Sequence, residues 1–519
     1  MSRIAYFVLV VILSVSVSDN EGARILTVIP TPSISHQVVF RPLVQELAKR
    51  GHDVTIITTD PVFPKGGTPA NLTEVDVHDM SYKLWQDFVK TSSGSSNDLK
   101  TQITVGLELI GKIFGYQMET NEVQHIIKQK KFDLLMLEAI ARPALALSHV
   151  FKVPVIQVSS FGAVFGNYET LGAPVHPVLY PTMFRQRIYN LTFWEKVSEL
   201  YNHYDFTRIY YSMEDQENAM VKRIFGPETP SLSELSNNVD MLFLNMNPIW
   251  EGNRPVPPGV IYMGGLHQKP VKELPQELKS YLDSSANGVI YISFGTNVNP
   301  SQLPADKIQV LAKVFSELPY NVLWKWDKDV LPGQSENIKI SKWLPQSDLL
   351  RHPNVELFIT QGGLQSTDEA ITAGVPLIGM PMLGDQWFNV EKYTHHKIGL
   401  RLDMETLTEE GFKNAIEKVI GDESYRQNIK RLGILMRDQP QPPLERAVWW
   451  TEYVIRHSGA RHLRSPAANM PWHQYLELEL VFSLLSIIAI VSIAVLVALF
   501  YIARLVSRNY LVDVKLKAS

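Results

Sequence analysis

Cysteine is absent from all 519 residues. That absence excludes disulfides, thiolate nucleophiles and cysteine-ligated metals. A core that folds on the secretory route must then hold without covalent cross-links. An excess of either charge is also missing: 49 Lys and Arg stand against 53 Asp and Glu, a formal net charge of −4. So even a balance argues against nucleic acid as a main partner. No short internal repeat and no low-complexity tract interrupts the chain. Its length favours two or more globular domains.

Long apolar runs are scarce, and both lie at the ends. Met1, Ser2 and Arg3 form a small positive start before the apolar stretch 4–15, with Ser16 and Ser18 as small residues ahead of a cleavage site. Residues 1–18 read as a signal peptide, since the apolar part is too short to span a bilayer comfortably. Residues 480–503 are apolar throughout. As a helix this run reaches roughly 36 Å, enough to cross a bilayer of about 30 Å with tilt. Trp472 and Tyr475 precede it and Tyr501 lies near its far end, as interfacial aromatics. Arg504, Arg508, Lys515 and Lys517 follow against Asp513 alone, which makes 504–519 a cytosolic tail and places the preceding body in a lumen. The terminal KLKAS resembles a dilysine retrieval signal, so the expected location is the endoplasmic reticulum membrane. Sequons at Asn71 and Asn190 fit a lumenal body.

Between these ends, strands alternate with helices. Arg24–Ile29 reads as a strand, 30–35 as a loop, 38–50 as a helix and 54–58 as the next strand. Later, 132–137 and 153–158 read as strands around a helix at 142–150. Strands are expected again at 289–294 and 321–326, with a helix at 304–318 between them. Alternation of this kind implies parallel, doubly wound sheets. The expected division is an N-terminal domain at 23–252, a proline-rich linker at 253–285 and a C-terminal domain at 286–460. Stretches 60–125 and 161–235 lack clean alternation. Their aromatics (Trp85, Phe88, Phe114, Tyr116, Phe161, Phe165 and Tyr168) suggest a pocket for an apolar molecule, with core packing as the plainer alternative for any one of them.

The most informative stretch is 343–386, WLPQSDLLRHPNVELFITQGGLQSTDEAITAGVPLIGMPMLGDQ. Val355–Thr360 reads as a buried strand. Gln361, Gly362 and Gly363 follow, and a helix opens with Gln365, Ser366 and Thr367. A glycine pair lets backbone approach a ligand closely. A helix start offers unpaired N–H groups and a positive dipole end, which suits a phosphate or diphosphate. Glu369, one turn into the helix, suits a sugar hydroxyl. A second strand at 376–379 leads to Asp385 and Gln386 at another strand-to-helix corner. The stretch proposes a sugar-nucleotide site.

These 44 positions resemble the signature of the UDP-glycosyltransferases, in the form found in insect-type members and viral ecdysteroid enzymes. The resemblance extends to VIYISFGTNV at 289–298, to IPTPSISHQ at 29–37 and to the C-terminal anchor. It implies a GT-B fold: two facing Rossmann-like α/β domains, plus one transmembrane helix. It implies His36 as the base that deprotonates an acceptor hydroxyl. A carboxylate should orient that base. The family uses an aspartate at the end of the following FD-strand, where this chain has Glu138; Asp133 lies at the other end of the strand. The resemblance places Ser293 near the diphosphate, Trp343 on uracil, Gln346 on uracil or ribose, Gln365 and Ser366 at the phosphates, Glu369 on ribose, and Asp385 and Gln386 on the sugar. Gln361 stands where many relatives carry histidine. An amide can donate to phosphate without being cationic, so Gly362, Gly363 and the helix start must do more of the neutralising.

The expected activity is therefore inverting transfer of a hexose from a UDP-sugar, preferably UDP-glucose, to a hydroxyl of a small lipophilic acceptor. UDP-glucuronic acid is the second donor. The UDP-sugar is a co-substrate, and no other cofactor or metal is called for; His395 and His396 read as surface residues. A homo-oligomer is compatible with all of this. Two rivals remain: a UDP-sugar epimerase, and a binder of lipophilic ligands with a decayed site, for which Glu138 and Gln361 speak.

Overall fold

The computed structural model describes residues 22–92 and 99–517. The expected signal peptide, residues 1–18, lies outside the described residues. Two compact units are present, residues 1–465 and 466–519.

The first unit contains two parallel sheets. Strands β1 (Arg24–Ile29), β2 (Asp53–Thr58), β3 (Leu72–Asp76), β4 (Leu134–Glu138), β5 (Val155–Ser159), β6 (Val239–Leu244) and β7 (Val260–Tyr262) pair in the order β3-β2-β1-β4-β5-β6-β7. Strands β8 (Val289–Ser293), β9 (Asn321–Lys325), β10 (Ile338–Ser341), β11 (Val355–Thr360), β12 (Leu377–Gly379) and β13 (Gly399–Arg401) pair as β10-β9-β8-β11-β12-β13. In each sheet the chain winds outward to one edge, returns, and winds to the other. The order reverses between β1 and β4 in the first sheet and between β8 and β11 in the second. Such reversals open crevices beyond the carboxyl ends of the strands.

Side-chain alternation divides each strand between two buried faces. Ile25 and Ile29 of β1 join Leu134 and Met136 of β4 in one core cluster. Leu26 and Val28 join Leu135 and Leu137 in the opposite one. Helix Ile34–Lys49 covers the first face through Val39, Phe40, Leu43, Val44 and Leu47. Period two therefore aims Glu138, the last residue of β4, toward that same helix.

The stretch expected as a linker, 253–285, supplies β7 to the first sheet and helix Gln276–Asp283. Helix Pro443–Arg456, within the stretch assigned to the C-terminal domain, packs its Ala447, Val448 and Val454 into the cluster formed by β1, β4 and the first helix. Sequence patterning also missed helices at Leu99–Met118 and Phe193–Ser212. The first carries Gly106, Gly111 and Gly115, which weaken helix propensity. Close approach explains Gly115, where a Cβ would lie 2.5 Å from Met220 Sδ. The second helix buries Tyr210 yet exposes Phe193, Trp194, Tyr201 and Tyr204, so apolar residues on two sides hide its periodicity.

The second unit holds helix Leu478–Lys517. Its segment Leu478–Asn509 contains an 18-residue window of mean hydropathy 3.0 and is long and apolar enough to cross a membrane. The expected run 480–503 lies inside it.

The returning helix yields a stability test. Val448 is fully buried. Val448→Asp would place an unpaired carboxylate in that core and should lower stability by about 3 kcal/mol or more. Thermal unfolding of the full chain would measure it.

Candidate active site

The first wall of the site forms where β1 meets β4. After Ile29 a short loop leads to Ser33, which has extended backbone and precedes helix Ile34–Lys49. Its carbonyl accepts N–H bonds from His36 (2.9 Å) and Gln37 (3.2 Å). His36 thus sits in the first turn of the helix, whereas the sequence pattern put it in the loop before a helix starting at Val38. The difference has a physical cause: residues 34–37 include polar groups facing the cleft or the loop, so the turn lacks core periodicity. Gln37 is buried and donates to the carbonyls of Ile29 (3.2 Å) and Thr31 (3.0 Å), stitching the loop to the helix.

Glu138 is 1% exposed. Its Oε1 lies 2.6 Å from His36 Nδ1, and its Oε2 accepts the Thr31 N–H at 3.1 Å. An ionised carboxylate only accepts, so of the two neutral tautomers it selects the one with the proton on Nδ1 and the lone pair on Nε2. The Phe161 ring meets the imidazole edge-on at 5.1 Å. Asp133, at the far end of β4, pairs with Arg24 at 2.7 Å and takes no part.

The second wall forms at the β8–β11 reversal. Ser293 and Thr360 are register partners at the two strand ends. Gln361 follows, buried, with its Oε1 lacking a hydrogen-bond partner among the described residues. Gly362 has φ +91°, and a Cβ there would lie 2.3 Å from Val390 Cγ2. Both its conformation and its space demand glycine. Gly363 caps helix Leu364–Ala373 with no side-chain cap bond, and the first turn has no acidic residue. Unpaired N–H groups at this end suit an anion.

Around that helix start the polar groups are organised. Gln346 accepts from Tyr291 Oη (3.0 Å) and donates to Ser366 Oγ (2.9 Å) and Glu369 Oε2 (2.8 Å). Burial pushes the Glu369 carboxyl up from its ordinary value. Gln365 donates across the cleft to the carbonyls of Ser35 (3.3 Å) and Ser160 (3.1 Å), so its amide joins the two walls. Gln386 accepts the N–H groups of Met382 and Leu383, both at 2.8 Å, and Asp385 Oδ2 accepts from Asn389 Nδ2 at 2.8 Å. Burial pushes the Asp385 carboxyl up to about 6. Trp343 is 67% exposed and so is no core residue, and Lys325 Nζ lies 4.8 Å from its ring centre.

One cavity of ≈ 540 Å³ brings most of these groups together. His36, Ser293, Trp343, Gln346, Gln361, Gly363, Gln365, Ser366, Glu369, Asp385 and Gln386 line it. Glu138 and Gly362 stand behind its surface. One end is apolar, with Trp85, Ile103, Leu107, Phe161, Met183 and Phe184. Of the aromatics singled out by sequence, Phe114, Phe165 and Tyr168 are core residues, Tyr116 is exposed, and the Phe88 side chain lies outside the described residues. Sequence reasoning missed Lys325, whose position as the last residue of β9 was a usable signal. It also missed Asn389, whose role no spacing announces. His395 stacks on Tyr189 at 3.7 Å and His396 on Trp250 at 5.7 Å. Asn71 and Asn190 are both exposed.

Comparison with known proteins gives a consistent result. The family model described as UDP-glucoronosyl and UDP-glucosyl transferase matches residues 24–510. An ecdysteroid UDP-glucosyltransferase of Lymantria dispar multicapsid nuclear polyhedrosis virus is 38% identical, over 91% of this chain and 94% of its own length. A UDP-glycosyltransferase of Dactylopius coccus is 34% identical, over 96% and 95%. Among solved structures, the kitacinnamycin glycotransferase superposes with a TM-score of 0.57 at 19% identity, covering 83% of this chain and 99% of that one. The calicheamicin glycosyltransferase gives 0.55 at 17%, covering 84% and 99%. These two likenesses establish the GT-B fold.

Asp368, behind the helix start, offers a pH test. Burial, with neighbouring Glu369, pushes its carboxyl up from 3.8 to about 8. The folded state therefore holds a proton that the unfolded state releases, and stability falls as pH rises from about 4 to about 8. Asp368→Asn should flatten this fall. Melting temperature measured against pH for both proteins checks it.

Proposed function

The chain belongs to the UDP-glucuronosyl and UDP-glucosyl transferase family and is a glycosyltransferase, and we propose that it transfers glucose from UDP-glucose to a hydroxyl of a small lipophilic acceptor with inversion. The observation that carries this reading is the 2.6 Å His36–Glu138 pair, whose imidazole lines the same cavity as an uncapped helix start.

The acceptor lies against the apolar end, with its hydroxyl at His36 Nε2. As the acceptor oxygen attacks the anomeric carbon, Nε2 takes its proton, and Glu138 stabilises the imidazolium that forms. Glutamate in place of aspartate is accommodated, because its second oxygen is held by the Thr31 N–H. The bond from the anomeric carbon to the diphosphate oxygen breaks, and its electron pair leaves with UDP. Attack from the side opposite the leaving group inverts the centre. The N–H groups at Gly363 to Ser366 and the Lys325 ammonium receive the diphosphate charge. Ser293 lies beside them, Trp343 stacks on uracil, and Gln346 positions Glu369 for ribose.

Asp385 and Gln386 take the sugar hydroxyls. The lysines lining the cleft, Lys269, Lys272 and Lys325, sit among the residues assigned to the nucleotide, and the ring that acts on the Asp385 charge is the His36 imidazole. A carboxylate with no lysine or arginine paired to it among the described residues suits a neutral hexose better than a uronate. The names of the viral relatives point to glucose as well. The helix Leu478–Asn509 would anchor the enzyme with its body in the lumen of the endoplasmic reticulum, where lipophilic acceptors concentrate in the adjoining bilayer. A mature chain starting near residue 19 and glycans at Asn71 and Asn190 belong to the same reading.

Microsomes expressing the full chain would be offered UDP-glucose or UDP-glucuronic acid with phenolic, flavonoid and steroid acceptors. Glucosides should form; preference for UDP-glucuronic acid would overturn the donor assignment. His36→Ala should lower kcat at least about 10²-fold, and equal turnover would remove His36 as the base. Acceptor binding without turnover by the wild type would favour a binder. The donor KM should also rise as pH falls through about 6, because protonated Asp385 loses its full acceptor capacity.

A further inference from the structure

Helix Gln386–His395, which begins at the sugar side of the cleft, is fastened to the first half of the protein at one tryptophan. Trp250 lies on the short helix Pro248–Glu251 that follows β6, and it is fully buried. Its indole N–H donates to Asn389 Oδ1 at 3.0 Å. The amide nitrogen of Asn389 donates in turn to Asp385 Oδ2 (2.8 Å) and to the Gly362 carbonyl (3.0 Å). Asn389 is itself fully buried, so no solvent can substitute for these partners.

The directions of these bonds are forced. An indole N–H can only donate, so it requires the amide oxygen to face it. Both amide hydrogens must then face the carboxylate and the carbonyl. A flipped amide would set its oxygen against the Asp385 carboxylate and its NH₂ against the indole N–H, two repulsions in a dry interior. The Trp250 carbonyl also accepts Lys392 Nζ, one turn further along the same helix. The first half thus grips the sugar-side helix at two successive points.

We propose that Trp250 and Asn389 are positioning residues for the donor sugar: an indole N–H from the acceptor half orients an amide that holds the Asp385 carboxylate in place in the donor half. Neither residue touches substrate. The sugar subsite is complete only when the two halves are docked through Trp250. This inference rests on the reading of Asp385 as a ligand of the sugar hydroxyls.

The test uses the full chain in microsomes, with Trp250→Phe, Asn389→Leu, the double variant, and Asp385→Ala. Three quantities are read: KM for UDP-glucose, KM for the acceptor, and the inhibition constant of UDP, which lacks the sugar. Each single relay variant should raise the UDP-glucose KM about tenfold, with the other two constants moving less than about threefold. The double variant should be no worse than the worse single one, since both break one relay. A parallel rise in the UDP constant, additive effects in the double variant, or no effect at all would overturn the proposal. If one relay variant fails to fold, the other carries the test alone. An unchanged donor KM in Asp385→Ala would instead sink the reading of Asp385. A raised one beside a normal Trp250→Phe would sink the relay and leave that reading standing.

Discussion

A carboxylate taken out of water must be given partners on both of its oxygens, and the architecture around Glu138 follows from that requirement. Glu138 ends β4 at the point where strand order reverses, on the face covered by the first helix. One oxygen takes the Thr31 N–H and the other takes His36 Nδ1. Meeting both demands fixes the loop after β1, the first turn of the helix and the tautomer of the imidazole together. Gln37 adds to this by tying the loop carbonyls of Ile29 and Thr31. The imidazole is thereby held rigid before any substrate arrives, as the proposed role of base requires, and rigid placement of reacting groups is a large part of what an enzyme contributes.

The opposite wall is built on the same topology with different means. Its reversal, between β8 and β11, presents backbone N–H groups and a glycine whose positive φ admits no side chain. The two walls are then joined by polar contacts rather than by a linker alone. Gln365 reaches the carbonyls of Ser35 and Ser160, Ser33 Oγ donates to Asn297 Oδ1 at 3.2 Å, and Trp250 reaches Asn389. The helix Pro443–Arg456 returns to the first core. Each contact is modest alone, at about 1 kcal/mol net. Together they set the spacing between His36 and the helix start at Gly363, which the proposed reaction at the anomeric carbon requires.

The elements that patterning read well are the ones buried on both faces. β1 and β11 were legible to the residue, because a parallel strand between two layers of helices is a short apolar run with polar ends. Patterning failed where residues serve something other than the core. Residues 34–37 begin a helix without apolar periodicity because they serve the cleft and its loop. Helix Phe193–Ser212 is apolar outward as well as inward. β7 has only three residues, too few to show a period.

For the site, the sequence alone determined the chemical kinds. An imidazole after the first strand, an acid at the end of β4, a glycine pair before a helix and a polar pair at the next corner are local facts, readable because strand ends in a parallel sheet all reach one edge. Tertiary structure alone decided which atoms meet. The chain separates His36 from Glu138 by 102 positions and Trp250 from Asn389 by 139. No periodicity encodes a hydrogen bond across that distance. The first pair exists only once the first sheet has formed and the second only once the halves have docked, because burial is what makes each of these polar groups require the other.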